Sequence, residues 1–152
     1  MKNLLIFLFF LLSFATTAQK LDSALVVQQV DSLIKVSVTL IKNRDFDKAL
    51  EVNAEAVALT STNLGKESAL YGRCCYSRGW IYNIKSDYPE AEKWYLKAKE
   101  NQEKTLGKED PRYATCLNNL ANLYNKTGNY EKAESLHLEA KDIREKVLGK
   151  EH

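Results

Sequence analysis

The chain has 152 residues, 45% hydrophobic and 28% charged, and its 22 basic side chains nearly balance 20 acidic ones. A net charge of +2 is too balanced to imply nucleic acid or an anionic membrane surface as the partner. Two prolines and six glycines leave little room for flexible linker.

At the N-terminus, Lys2 precedes an unbroken apolar run from Leu4 to Leu12, extended by Phe14 and Ala15. A membrane-spanning helix needs about 20 apolar residues, so this run is too short to be one. Thr16-Thr17-Ala18 then supplies small side chains ahead of polar Gln19-Lys20. A basic start, a short apolar core and a small-residue exit make residues 1–18 a secretory signal peptide, with cleavage expected after Ala18. No cysteine follows the small residues, so no lipid anchor is expected. The expectation is an exported chain of bacterial style, periplasmic or extracellular, with no membrane insertion after cleavage.

From Gly65 onward the sequence is one unit written twice. Gly65-Lys66-Glu67 recurs as Gly107-Lys108-Glu109 and Gly149-Lys150-Glu151, a step of 42 residues each time, and 65–106 laid over 107–148 gives 16 identities. Tyr71/Tyr113, Cys74/Cys116, Tyr82/Tyr124, Tyr88/Tyr130, Ala91/Ala133 and Ala98/Ala140 are among them. A fixed period of this size with helical patterning inside it signals a repeat array. A weaker first copy over 23–64 fits the same frame, with Phe46, Ala49 and Ala56 falling where Tyr88, Ala91 and Ala98 stand. Residues 149–152 open a further copy.

Each copy reads as two helices, predicted at 24–42, 46–63, 68–85, 88–106, 111–127 and 130–148. Asp45, Asp87 and Asn129 stand where an N-cap belongs. Pro89 and Pro111 sit just inside helix starts, where a missing amide costs nothing. Gly65, Gly107 and Gly149 follow a leucine, where a helix commonly ends on a left-handed residue. Leu117, Leu120, Ala121 and Tyr124 form one apolar face, while Ala133 and Ala140, two turns apart, let a partner helix approach. Tyr130 is expected to fill the corner of its hairpin. The fold class is all-α.

Glu109-Asp110-Pro111, Leu117-Asn118-Asn119-Leu120-Ala121, Leu123-Tyr124, Gly128-Asn129-Tyr130, Ala133-Glu134 and Leu148-Gly149-Lys150-Glu151-His152 resemble the tetratricopeptide repeat of the kinesin light chain type. The resemblance implies an α-solenoid of three helix-turn-helix repeats over 19–152, right-handed, whose first helices line a concave groove. It places Arg73, Tyr76, Trp80, Asn83 and Ile84 of copy two in that groove, and Thr115, Asn118, Asn122, Asn125 and Lys126 of copy three. Positions 76, 80 and 83, like 118, 122 and 125, also fall on one helical stripe by spacing alone. Arg73 and Lys126 tilt the expected ligand towards acidic character. The alternative for Trp80 is core filler.

No spacing for catalysis stands out. GxSxG, HExxH, P-loop and glycine-rich nucleotide signatures are absent from the sequence. Cys74, Cys75 and Cys116 have neither CxxC spacing nor a histidine pair beside them, and read as small buried apolar side chains. The expectation is therefore a non-enzymatic scaffold that holds a protein or peptide partner, without cofactor or metal. The alternative is the recognition end of a larger exported or membrane-linked signalling protein or peptidase. Oligomeric state is left open.

Overall fold

The computed structural model describes residues 23–149; the expected signal peptide lies outside them. Among the described residues there are six helices: α1 Ser23–Lys42, α2 Phe46–Asn63, α3 Ala69–Ile84, α4 Tyr88–Leu106, α5 Pro111–Lys126 and α6 Tyr130–Leu148. Their bounds differ by at most one residue from those the periodicity predicts. They pair as three hairpins, α1–α2, α3–α4 and α5–α6, stacked in chain order into a solenoid.

The hairpin corners follow from backbone geometry. Arg44, Ser86 and Gly128 lie 42 residues apart and all have positive φ, at 60°, 65° and 79°. The next amide in each case, from Asp45, Asp87 or Asn129, reaches back to the carbonyl of Leu40, Tyr82 or Tyr124 at 2.8–2.9 Å. That pattern closes a helix end with a left-handed residue. Only the third copy places glycine there; Arg44 and Ser86 accept a conformation that costs an L-residue about 1–2 kcal/mol.

The glycines between repeats behave differently from expectation. Gly107 and Gly149 combine φ of 85° and 75° with ψ of 163° and 168°. That is an extended region open essentially to glycine alone, outside the left-handed helical one.

The expected caps are met in one case of three. Asp87 accepts from the Glu90 amide at 3.4 Å. Asp45 makes no cap bond; its carboxylate lies 2.9 Å from Lys48 Nζ. Asn129 makes none either and donates instead to Thr127 Oγ1 at 3.0 Å. Lys48 competes with the backbone amide for the Asp45 carboxylate, whereas the Asn129 bond uses its amide nitrogen and not the oxygen that a cap needs. Ser68 and Asp110 are the caps that pattern reading overlooked, accepting from Tyr71 N and Arg112 N.

The core is a row of contiguous clusters running along the stack. Val26 and Val30 of α1 pack on Ala56 and Cys74, and Ile41 packs with Ala49 and Ile81. Tyr95, Ala91, Leu120, Leu123, Tyr124 and Ala133 join the second hairpin to the third. Tyr113, Ala114, Leu117, Ala140 and Ile143 close the third hairpin internally. By length and composition α1 is also apolar enough to cross a membrane. Its inner face is packed in this way, while Leu25, Val27 and Val36 are exposed.

Two departures from expectation concern tyrosines and glycines. Tyr130 does not fill a corner; it is 69% exposed. Its counterpart Tyr88 packs against the cluster made with α5, and among the described residues no helix covers Tyr130 in that way. Gly79 is required by Tyr95: a Cβ added there would lie 2.7 Å from the ring Cδ1. In the third copy the equivalent positions hold Ala121 and His137, a larger small residue paired with a smaller ring.

Gly79→Ala is therefore expected to force α3 and α4 apart, at a cost of about 1–3 kcal/mol. Thermal melting followed by circular dichroism reads it, and an unchanged Tm would mean that Tyr95 does not sit over Gly79.

Candidate binding groove

The first helices α1, α3 and α5 lie side by side, and the candidate residues sit on α3 and α5. Arg73 is exposed and pairs with Asp31 of α1. Position 31 is one period before 73, so equivalent positions of adjacent repeats are joined directly. An exposed pair of this kind contributes at most about 1 kcal/mol, but it neutralises the arginine.

Tyr76 is half-buried. Its ring centroid stands 5.8 Å from that of Tyr95, and its hydroxyl accepts from Asn119 Nδ2 at 2.9 Å. Trp80 packs against both the Ile41–Ala49–Ile81 cluster and the Tyr95–Leu120 cluster, so its indole joins the repeats as core. Asn83 is nearly buried, at 9% exposure, and accepts from Lys126 Nζ at 3.1 Å. The ammonium also stands 5.8 Å from the Tyr88 ring centroid.

The α5 asparagines form a separate set. His137 of α6 faces them both, with Nδ1 at 3.1 Å from Asn118 Oδ1 and Nε2 at 3.4 Å from Asn125 Nδ2. An Nδ1–H tautomer satisfies both contacts, with Nδ1 donating and Nε2 accepting. Asn122 is exposed between them.

These residues therefore do not make one continuous ligand surface. Arg73, Tyr76 and Thr115 surround a cavity at the start of the helices. Trp80 and Asn83 are absorbed into packing, and Asn118, Asn122 and Asn125 present amides around His137. Both groove cations already have partners, so the acidic preference expected from Arg73 and Lys126 finds no support in this geometry.

Pattern reading passed over Asp31, Asn119 and His137. Asp31 was discoverable, because it lies one period before Arg73.

The three cysteines are buried and free. Cys74 lies 3.6 Å from Thr60 Oγ1, and Cys116 Sγ lies 3.6 Å from the Tyr95 carbonyl oxygen. Burial pushes the Cys75 thiol up to about 11 and that of Cys116 up to about 12. Among the described residues no group of His, Cys, Asp and Glu is arranged to hold a metal ion.

The raised thiol values carry a sign. The folded state holds protons that the unfolded thiols release near pH 8.5. The stabilisation is complete below that value and is lost as pH rises towards the folded values. Urea midpoints are expected to hold between pH 7 and 8 and to fall from pH 9 to 10.5. Each thiol should contribute up to about 1.4 kcal/mol per pH unit there. Cys75→Ala/Cys116→Ala should flatten that slope, and an equally steep slope in the double variant would reject the assignment.

Residues 76–146 match the family model described as Tetratricopeptide repeat. Among solved structures the chain is similar to a Podosopora anserina protein of kinesin light chain type with nearly identical TPR-like repeats. The identity is 22% and the TM-score 0.74, over 82% of this chain and 59% of that one. It is also similar to BtubC (BKLC) from P. vanneervenii, at 20% identity and TM-score 0.74 over 90% of this chain and 58% of that one. The TPR domain of Arabidopsis FLU matches at 17% identity and TM-score 0.70, over 80% of this chain and 98% of that domain. The chain thus spans about three fifths of the first two structures. No curated protein matches it.

Proposed function

We propose, from the premise that this chain is a tetratricopeptide-repeat protein, that it is an exported, non-enzymatic scaffold holding a peptide or protein partner along its first helices. Repeats of this family generally mediate protein–protein interaction, and each hairpin adds one more first helix to a shared surface. The observation that carries the reading is the α1–α3–α5 face. There Arg73, Tyr76 and Thr115 surround one cavity, and Asn118, Asn122 and Asn125 follow Thr115 along α5 within about three turns. The amides can grip a peptide main chain, and Tyr76 at the cavity can add apolar contact. Export is supported by the basic, apolar and small-residue order of 1–18.

Two measurements test this. Mass spectrometry of the exported protein is expected to find an N-terminus at Gln19 or within a few residues of it. Intact Met1 in the soluble exported fraction would overturn export by cleavage. A photo-crosslinking residue at position 122 should capture a discrete partner in cells of the source, while the same residue at position 138 of α6 should not. Equal capture at both positions would reject the groove.

A further inference from the structure

Successive repeats meet through corresponding positions, so the pairs formed inside the chain show what chemistry its last face can accept. Between the second and third hairpins, Lys126 Nζ donates to Asn83 Oδ1 at 3.1 Å. The same ammonium stands 5.8 Å from the centroid of the Tyr88 ring. One period further on, Asn125 and Tyr130 repeat the acceptor and the ring. Asn125 turns its amide nitrogen to His137, which leaves its oxygen available, and Tyr130 is 69% exposed. This corner calls for a cation at the end of an arriving helix.

The chain itself carries such a helix. Lys42, at the end of α1, holds in the first repeat the position that Lys126 holds in the third, and it is exposed. Two further pairs agree in the same register. Asp47 pairs with Lys85 between the first and second hairpins. Glu131 stands two periods after Asp47, and Asn43 one period before Lys85, so a carboxylate would meet an amide N–H. Lys99 Nζ stands 5.9 Å from the Tyr113 ring centroid. Lys141 and Gln29 hold these two positions at the ends of the stack, where an ammonium would meet an amide oxygen. All five of these side chains are exposed. The Tyr124–Glu92 bond has no counterpart there, since Leu40 stands at the tyrosine's position.

We propose that the α5–α6 end of one molecule is a docking surface for α1 of a second copy of this chain, whose Lys42 donates to Asn125 Oδ1 over the ring of Tyr130. The assignment rests on the scaffold reading above and names one partner of the first-helix face. The two surfaces differ, so the contact is heterologous: each docked copy leaves another Tyr130 corner open, and assembly runs head to tail. The α1–α3–α5 face then continues from one copy into the next.

The test is sedimentation of the chain from Gln19 onward, whose mass is expected to rise with concentration past that of a dimer. Lys42→Glu sets a carboxylate against Glu131, and Tyr130→Lys sets a second ammonium against Lys42. Both side chains are exposed, so the helical circular dichroism should be unchanged. Each variant alone should associate at least about tenfold more weakly than the native chain. Mixed in equal amounts, the two should recover native affinity yet stop at the dimer, because one retains the Tyr130 corner and the other the α1 end. A native chain that stays monomeric at every soluble concentration would overturn the docking, and so would a mixture that does not pair. A plateau at the dimer that Tyr130→Lys abolishes and Lys42→Glu leaves intact would overturn it in favour of symmetric pairing through α6. The crosslinker at position 122 separates this proposal from the scaffold reading. A different protein captured there by a monomeric chain would leave that reading standing without the docking. Capture of this chain alone, with assembly past the dimer, would support the docking and confine the face to self-recognition.

Discussion

The stacking of the second hairpin on the third depends on Tyr95. Its side chain is fully buried and lies over Gly79 within its own hairpin. Its ring is tilted 48° to that of Tyr76 and joins the cluster with Leu120, Leu123 and Tyr124 of the next repeat. One aromatic ring thus fixes both the spacing inside a repeat and the spacing between repeats. Where each unit touches only its neighbours, such a joint governs how far order propagates along the chain.

The same constraint explains why pairs of positions change together between copies. Gly79 with Tyr95 becomes Ala121 with His137, and Gly72 with Asn101 becomes Ala114 with Ile143. At Gly72 an added Cβ would collide with the Asn101 amide, which donates to the Lys66 and Ser68 carbonyls at 2.7 and 3.2 Å. Those bonds tie the end of α4 to the turn that launches α3. A residue that looks like a weak helix former is there because its partner across the hairpin needs the volume.

The helices, their pairing and the burial of the three cysteines were legible in the sequence, because period and small-residue spacing express packing directly. The caps were legible only in part. A short polar residue at a helix start can bind the backbone or a nearer neighbour, and Lys48 decides that choice for Asp45. The groove was less legible still. Helical spacing places Trp80 and Asn122 on the same stripe, yet it does not say that neighbouring repeats cover the indole and leave the amide in solvent.

The contrast between Tyr76, Trp80 and Tyr95 and their counterparts Asn118, Asn122 and His137 has a mechanical consequence. Rings bind the second hairpin to the third, whereas a hairpin docking on α6 would meet the exposed Tyr130 and Leu138 beside hydrogen-bonding side chains around His137 that water satisfies equally well. Its adhesion would rest on fewer dispersion contacts and on amides exchanging between protein and solvent partners.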